Sequence, residues 1–283
     1  KFKKAISLVL DSYQIPRDFY YLAMVESYFN FKATSPKGAQ GIWQFMPKTA
    51  KKYGLEINST IDERLHPIKS TIAAAKYLKD LYNIFNDWTL AAAAYNSGEY
   101  RVLRAIREAD SRSFSDLTKR SLLPEETINY IAKIWVAKEV DKKFPSRSHF
   151  DVSDSYFTTL TIKVSTPIDL EVISRLSGVS TGEISLLNPD LLTSSVNTQN
   201  KKLEIYLPKE GAAEFKSFIN SGGAITKVAD PGFLRSLGMK FALRGDFVKI
   251  MKSGNEKLRL VNLRTKSAIV VMKDKYLRTS INN

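Results

Sequence analysis

The chain has no cysteine, only two histidines and no apolar run long enough to cross a membrane. Each absence narrows the chemistry. Without cysteine there is no disulfide and no thiol nucleophile, although that alone names no compartment, since periplasmic proteins also lack cysteine. His66 and His149 are too few to suggest a zinc site, and nothing else suggests a metal or an organic cofactor. The longest apolar stretches, AISLVL and SAIVVM among them, fall well short of the roughly 20 residues of a spanning helix. No dense lysine and arginine tract, internal repeat or low-complexity segment stands out. The first residue is Lys1, with neither methionine nor signal peptide, which suggests a processed or trimmed protein. That leaves room for a targeting segment or a lipid anchor upstream.

What is present fits a multidomain globular protein. The 283 residues exceed one average domain, so two domains and an appendage are expected. A hydrophobic share of 43% with 25% charged residues is enough to build sizeable cores. Forty-three Lys and Arg against 29 Asp and Glu give a net charge of +14. Such an excess favours a polyanionic partner: nucleic acid, anionic lipid or bacterial cell wall. A merely solvated basic surface explains the charge alone equally well.

Residues 1–143 read as helices. Pro16 suits a first helical position ahead of the run to Glu26. Ser70-Thr71 would start a helix whose Ala74, Leu78, Leu81 and Phe85 form one buried stripe. WTLAAAAYNSG is a short helix stopped by Gly98, and Ile128 to Val140 is another, with Ile131, Ile134, Trp135 and Lys138 near one face. FPSRSHFDVSDSY, residues 144–156, breaks the pattern and reads as a linker. Beyond it YFTTLTIKV and KKLEIYLP read as strands. Between them lie a helix from Ile168 to Leu176 and a second one capped by Ser180 and Glu183. FVKIM, KLRLVNL and SAIVVMK then suggest a small β-meander.

One carboxylate stands out. In FYYLAMVESY, residues 19–28, Leu22, Ala23 and Glu26 follow Phe19 by three, four and seven positions and share its helical face. An acid on an apolar face is partly desolvated, which raises its pKa and suits a general acid near neutral pH. The helix is apolar all round, however, so this face is not unique. Taken alone, Glu26 reads first as an ordinary helix-end carboxylate reaching water.

Its company changes that reading. VESYFNFKATSPKGAQGIWQFMPKTAKKYG, AAAAYNSG and PEETINYIAK resemble the three motifs of the lytic transglycosylase catalytic domain of family 23. The likeness extends through DERLHPIKSTIAAAKYLKDLYNIFNDWTLAAAAYNSGEYRVLRAI and covers about residues 10–143. It departs at Ile42, where leucine is usual, and at Ala132, where proline is common. The resemblance implies a goose-lysozyme-like α fold that cleaves peptidoglycan glycan strands without a cofactor. It also implies that Glu26 is the single catalytic acid and base. By the same resemblance Ser35 lies within reach of the glycan or of Glu26, and Gln44 and Met46 line the cleft beside the scissile bond. Tyr95 and Asn96 would contact the N-acetyl region. Glu126 and Tyr130 would complete the site, the Tyr130 hydroxyl holding Glu26 in position. Plainer roles stay open: Trp43, Phe45 and Met46 as core, Tyr95 as a buried aromatic, Ser35 as a cap or turn, Glu126 as a first-turn acid. Gly38 and Gly41 would serve a turn.

Leu187-Asn188-Pro189, after a β-α-α arrangement, resembles a LysM module, a fold that binds N-acetylglucosamine-containing glycans. Where that family has a Gly-Asp-Thr turn this chain has KVSTPIDL, so structural support and glycan binding are both open. The expected architecture is therefore α+β and multidomain. An all-α lysozyme-like domain of goose type spans 1–143 and a linker spans 144–155. A LysM-like domain follows over 156–209, then a helical connector and a small β-rich extension of unassigned role over 210–283. The resemblance implies a lytic transglycosylase of the periplasm or cell envelope, with anchoring to the outer membrane left open, acting as a monomer on peptidoglycan. A muramidase that hydrolyses the same bond and a non-catalytic wall-binding protein are the alternatives. No nucleic-acid partner is expected, since no recognised motif supports one.

Overall fold

In the computed structural model of the protein, the described residues are 2–144, 157–163, 168–196, 202–220, 224–227, 247–252, 257–262 and 268–272. They divide into two units, Lys1–Ser155 with Asn188–Thr193, and Tyr156–Leu187 with Ser194–Asn283. The proposed linker residues 145–155, the replacement turn at 164–167 and His149 lie outside the described residues.

The first unit is built from helices α1 (Lys3–Ser12), α2 (Tyr20–Ser27), α3 (Pro47–Lys52), α4 (Pro67–Phe85), α5 (Trp88–Ser97), α6 (Glu99–Ala109), α7 (Phe114–Lys119) and α8 (Glu125–Lys143). At the centre stands α4. Its anticipated stripe is real: Ala74, Leu78, Leu81 and Phe85 are all essentially inaccessible to water. Each of the large ones contributes about 2 kcal/mol through burial. Asp87 caps α5 by accepting from the Leu90 amide at 2.7 Å, and Ala91 to Ala94 bury it against its neighbours. On α8 the four residues placed on one face, Ile131, Ile134, Trp135 and Lys138, together line a cavity of about 310 Å³ with Phe19, Leu22, Trp88 and Ala92.

Several helix starts differ from the sequence reading. Helix α8 begins at Glu125 rather than Ile128, and the helix expected from Ile168 begins at Leu170, because Ile168–Asp169 pairs as a strand. Helix α4 begins at Pro67, not at Ser70, because the His66 ring accepts from the Ile68 and Lys69 amides at 3.2 and 3.3 Å. Histidine stands outside the usual set of capping residues, so its role was not anticipated. Pro16 does not open α2; it precedes a 3-10 turn at Arg17–Phe19, and the α-helix starts at Tyr20. Although no strand pairs were foreseen in this unit, isolated bridges join Thr34 to Gln40 and Gln40 to Phe45. These bridges organise a loop that needs glycine at one point. Gly41 has φ +79°, and a Cβ there would sit 1.9 Å from the Arg64 carbonyl oxygen. Gly38 has φ +85° but faces open space.

In the second unit β1 (Phe157–Lys163) precedes the short β2 (Ile168–Asp169), α9 (Leu170–Ser177), α10 (Thr181–Leu187) and the short β3 (Ser195–Val196), with β4 (Lys202–Pro208) closing antiparallel on β1. This is the anticipated β-α-α-β order, with Gly178 left-handed after α9 and the Ser180 hydroxyl accepting from the Glu183 amide at 3.2 Å. The small β2–β3 pair was not anticipated. After α11 (Lys209–Asn220) come β5 (Ala224–Lys227), β6 (Phe247–Lys252), β7 (Lys257–Asn262) and β8 (Ala268–Met272), one antiparallel sheet in sequence order. The last three are the anticipated meander, and β5 adds an edge.

The two glycines give a paired prediction. Gly41→Ala must displace backbone and should lower stability by about 3 kcal/mol or more. Gly38→Ala meets only the left-handed penalty of about 1–2 kcal/mol. Urea melts of the two variants measure the difference, and equal costs would contradict the close approach to Arg64.

Candidate active site

Glu26 occupies the last turn of α2. The helix ends at once, because Tyr28 and Phe29 both adopt left-handed conformations (φ 51° and 58°). Ser27 anchors that end: its buried hydroxyl donates to the Ile42 carbonyl at 3.0 Å. Phe19, Leu22 and Ala23, on the same face as Glu26, are buried, as the spacing predicts. Opposite lies α8, running antiparallel to α2, as the pairs Glu26–Tyr130, Tyr21–Asp141 and Asp18–Lys138 show.

The Tyr130 hydroxyl donates to Glu26 Oε1 at 2.6 Å. One turn earlier on α8 the buried Thr127 hydroxyl donates to Asn96 Oδ1 at 3.0 Å, tying α5 to the same stretch of α8. Thr127 was not singled out from sequence; its position three residues before Tyr130, on the same helical face, was the available signal. The Tyr95 hydroxyl is spent on the Trp43 carbonyl at 2.8 Å, and its ring lies 5.2 Å from Tyr77. Tyr95 therefore has the character of a packed aromatic that joins α5 to the 33–46 loop.

That loop carries the remaining candidates. Gln44 has φ 47° and turns its amide inward, donating to the Gly41 and Ala33 carbonyls at 2.8 and 3.2 Å. Met46 is 43% exposed. The Ser35 hydroxyl accepts from the Ala39 amide at 3.0 Å within a tight turn and makes no hydrogen bond to Glu26 among the described residues. Trp43 is core, with its indole N–H donating to Thr71 at 2.8 Å. Glu126, in the first turn of α8, is exposed. Geometry thus gathers Glu26 with Tyr130, and Asn96 with Thr127, while Ser35 and Gln44 face their own loop. Sequence alone also missed Arg64, buried beneath that loop. Its guanidinium donates to the Gly38 and Phe45 carbonyls at 2.9 and 3.1 Å and to Gln40 Oε1 at 2.7 Å.

Burial is the largest influence on Glu26 and pushes its pKa up to about 7. The hydrogen bond from Tyr130 opposes it by favouring the carboxylate, and the negative charge of Glu126 adds to the rise. Tyr130 and Tyr95 are themselves driven well above the usual phenol range, first by burial and then by the Glu26 charge. Both phenols stay protonated while Glu26 titrates. Among the described residues, no group of three or more His, Asp or Glu side chains is arranged to hold a metal ion.

This geometry can be set beside known families. Residues 10–118 match the family described as Transglycosylase SLT domain, and residues 158–223 match Lytic transglycosylase MltD, LysM-like domain. The two matches follow one another along the chain, the SLT domain first and the MltD-type LysM-like domain second. Membrane-bound lytic murein transglycosylase D of Escherichia coli is 30% identical over 74% of this chain and 46% of its own length. The soluble lytic murein transglycosylase of Escherichia coli is 30% identical over 43% of this chain and 20% of that protein. The chain thus spans about half the length of the first relative and less of the second. Among solved structures, the 70 kDa soluble lytic transglycosylase of Escherichia coli aligns with a TM-score of 0.41 and 26% identity, over 48% of this chain and 24% of that one. Glu26, the GIWQF loop and AYNSG all fall inside the SLT match, whereas Thr127 and Tyr130 lie beyond its end at residue 118.

The carboxyl gives a stability prediction independent of activity. A folded-state pKa near 7 against 4.5 means that the folded SLT domain holds the Glu26 proton more tightly than the unfolded chain. The associated stability is full below pH ~4.5 and is lost as pH rises through about 7. Glu26→Gln should therefore melt higher than the parent at pH 8, by about 3 kcal/mol, and match it at pH 4. Tyr130→Phe removes the bond that favours the carboxylate, so it should move the parent's loss of stability to higher pH. Thermal melts across pH 4–9 check both, and a pH-independent gap would contradict the assigned protonation.

Proposed function

We propose that this protein is a lytic murein transglycosylase that cleaves the β-1,4 bond between N-acetylmuramic acid and N-acetylglucosamine in peptidoglycan. The observation that carries the reading is the Glu26 carboxyl, held near neutral pKa against Tyr130 in a domain of the SLT family. Protonated Glu26 gives its proton to the bridging oxygen as the glycosidic bond breaks. The substrate's N-acetyl group shares the developing positive charge. Glu26, now a carboxylate, takes the proton from the C6 hydroxyl of the same muramic residue, and that oxygen closes on C1. The product is a 1,6-anhydro end, and no water is consumed. Most glycosidases divide the acid and base roles between two carboxylates. Here one group performs both in turn, which its pKa near the working pH favours. Because the attack lies within one sugar, positioning supplies much of the rate.

In this reading Tyr130 orients the Glu26 carboxyl, Asn96 and Tyr95 shape the pocket beside the N-acetyl group, and Gln44 and Met46 border the scissile bond. Ser35 and Glu126 complete the rim. Residues 1–143 form the catalytic domain, 144–155 a linker, 156–209 the LysM-like domain and 210–283 an extension. The excess of positive charge suits an anionic wall as substrate, in keeping with work in the periplasm or cell envelope. No helix among the described residues is long and apolar enough to cross a membrane.

Digestion of purified sacculi followed by mass spectrometry of the released sugars tests the reaction. Anhydro-muramic ends are expected, reducing ends would identify a muramidase instead, and no release would leave a wall-binding protein. Glu26→Gln should lower the rate by about 100-fold or more, as expected when a general acid and base is removed. Retained activity would overturn the assignment of the acid.

A further inference from the structure

Residues Asn188–Thr193 lie within the stretch matched to the LysM-like family, yet they fold as part of the helical unit. Their attachment is specific. Leu191 forms a β-bridge with Ile61, and the Leu192 amide donates to the Thr60 carbonyl at 2.9 Å. The Asp62 amide in turn donates to the Asp190 carbonyl at 2.9 Å. The Asp190 side chain is fully buried and meets the Lys69 ammonium at 2.6 Å, while Lys69 also pairs with Glu63 at 3.0 Å. A buried ion pair adds little net stability over an apolar replacement, so its use here favours fixed register over strength.

From Asp62 the connection runs to the cleft. Its carboxylate holds Arg64 through two bonds, Oδ1 to Nε at 2.9 Å and Oδ2 to Nη2 at 2.7 Å. The opposite edges of the same guanidinium hold the Gly38 and Phe45 carbonyls and the Gln40 side chain. A planar fork gripped on one side by a carboxylate transmits orientation to whatever it grips on the other, which the single point charge of lysine cannot do. Gln40 and Phe45 exchange backbone hydrogen bonds at 3.1 and 3.2 Å, and Gln44 lies between them. Tyr95 closes the path through its bond to the Trp43 carbonyl.

We propose that Asn188–Thr193 is a positioning strut for the active-site loop. It fixes Asp62, Asp62 fixes Arg64, and Arg64 holds the loop that presents Gln44 and Met46. None of the strut residues touches substrate. The consequence is that the catalytic unit is not complete at residue 143: a segment about 45 residues further along finishes the support of its cleft. The proposal rests on the transglycosylase reading for its activity arm only.

Hydrogen exchange and kinetics on the whole chain test it together. In Asp190→Ala, exchange at the Gln40 and Phe45 amides should quicken about tenfold or more, while the α5 amides keep their protection. On sacculi, well below the melting temperature, kcat should fall about 10- to 100-fold. The Glu26 limb of the pH profile should stay in place. Asp190→Asn, which keeps an oxygen for Lys69, should retain more activity than Asp190→Ala. Arg64→Lys should reproduce the loop exchange with Asn188–Thr193 unaltered. Uniform loss of protection across the helices, or an unchanged kcat in folded Asp190→Ala, would reduce the segment to a stabilising role and overturn the proposal. An inactive parent protein would instead sink the transglycosylase reading, and the exchange data would still decide the strut.

Discussion

The partial withdrawal of one carboxyl from water is the constraint on which the rest of this protein depends. Two effects compete at Glu26. The Tyr130 hydroxyl, at 2.6 Å, favours the carboxylate, and burial between α2 and α8 favours the acid. Burial is the larger effect, and the net result is a group near pH 7 that is available in both forms. Had the hydrogen bond dominated, Glu26 would be a fixed anion, able to accept a proton but not to give one. The neighbouring phenols, held protonated by the same burial, keep the balance from being shared with other titrating groups.

Much of the helical unit can be understood as the means of holding that balance. Helix α2 is short and apolar, ends abruptly after Ser27, and is pinned there to Ile42. The next segment, residues 33–46, has little regular structure and so needs other support. It gets this from Gly41, which allows the loop to touch the Arg64 carbonyl, and from the Arg64 guanidinium beneath it. Arg64 is in turn held by Asp62, and Asp62 by the segment that carries Asp190. The carboxyl proposed as acid and base sits on a packed helix while the residues proposed to border the substrate sit on a braced loop. That division suits a reaction in which proton position and sugar position must agree.

What the sequence made legible follows from the range of the interactions. The α4 stripe and the α8 face were readable because helical periodicity is local. The apolar face shared by Phe19, Leu22, Ala23 and Glu26 was readable for the same reason. The His66 cap was not, since nothing about histidine marks a helix start. Arg64 was invisible because its loop partners lie 19 to 26 residues away and no periodic pattern records them. Asp190 meets Lys69 across 121 residues, further still from any local signal. Resemblance supplied the pairing of Tyr130 with Glu26, yet not its sign. The resemblance gave the hydroxyl a positioning role only; in the fold it also lowers the Glu26 pKa, and burial, helped by the Glu126 charge, overcomes it. The count of desolvating neighbours, which fixes that outcome, belongs to three dimensions.

The most direct measurement is a carbon-13 NMR titration of the Glu26 side-chain carboxyl in the whole, ligand-free protein, assigned with Glu26→Gln. A midpoint near 7, well above the 4.5 of an unperturbed glutamate, is expected. A midpoint at or below 4.5 would mean that the Tyr130 hydrogen bond outweighs burial, and that Glu26 cannot be the acid of a one-carboxylate mechanism.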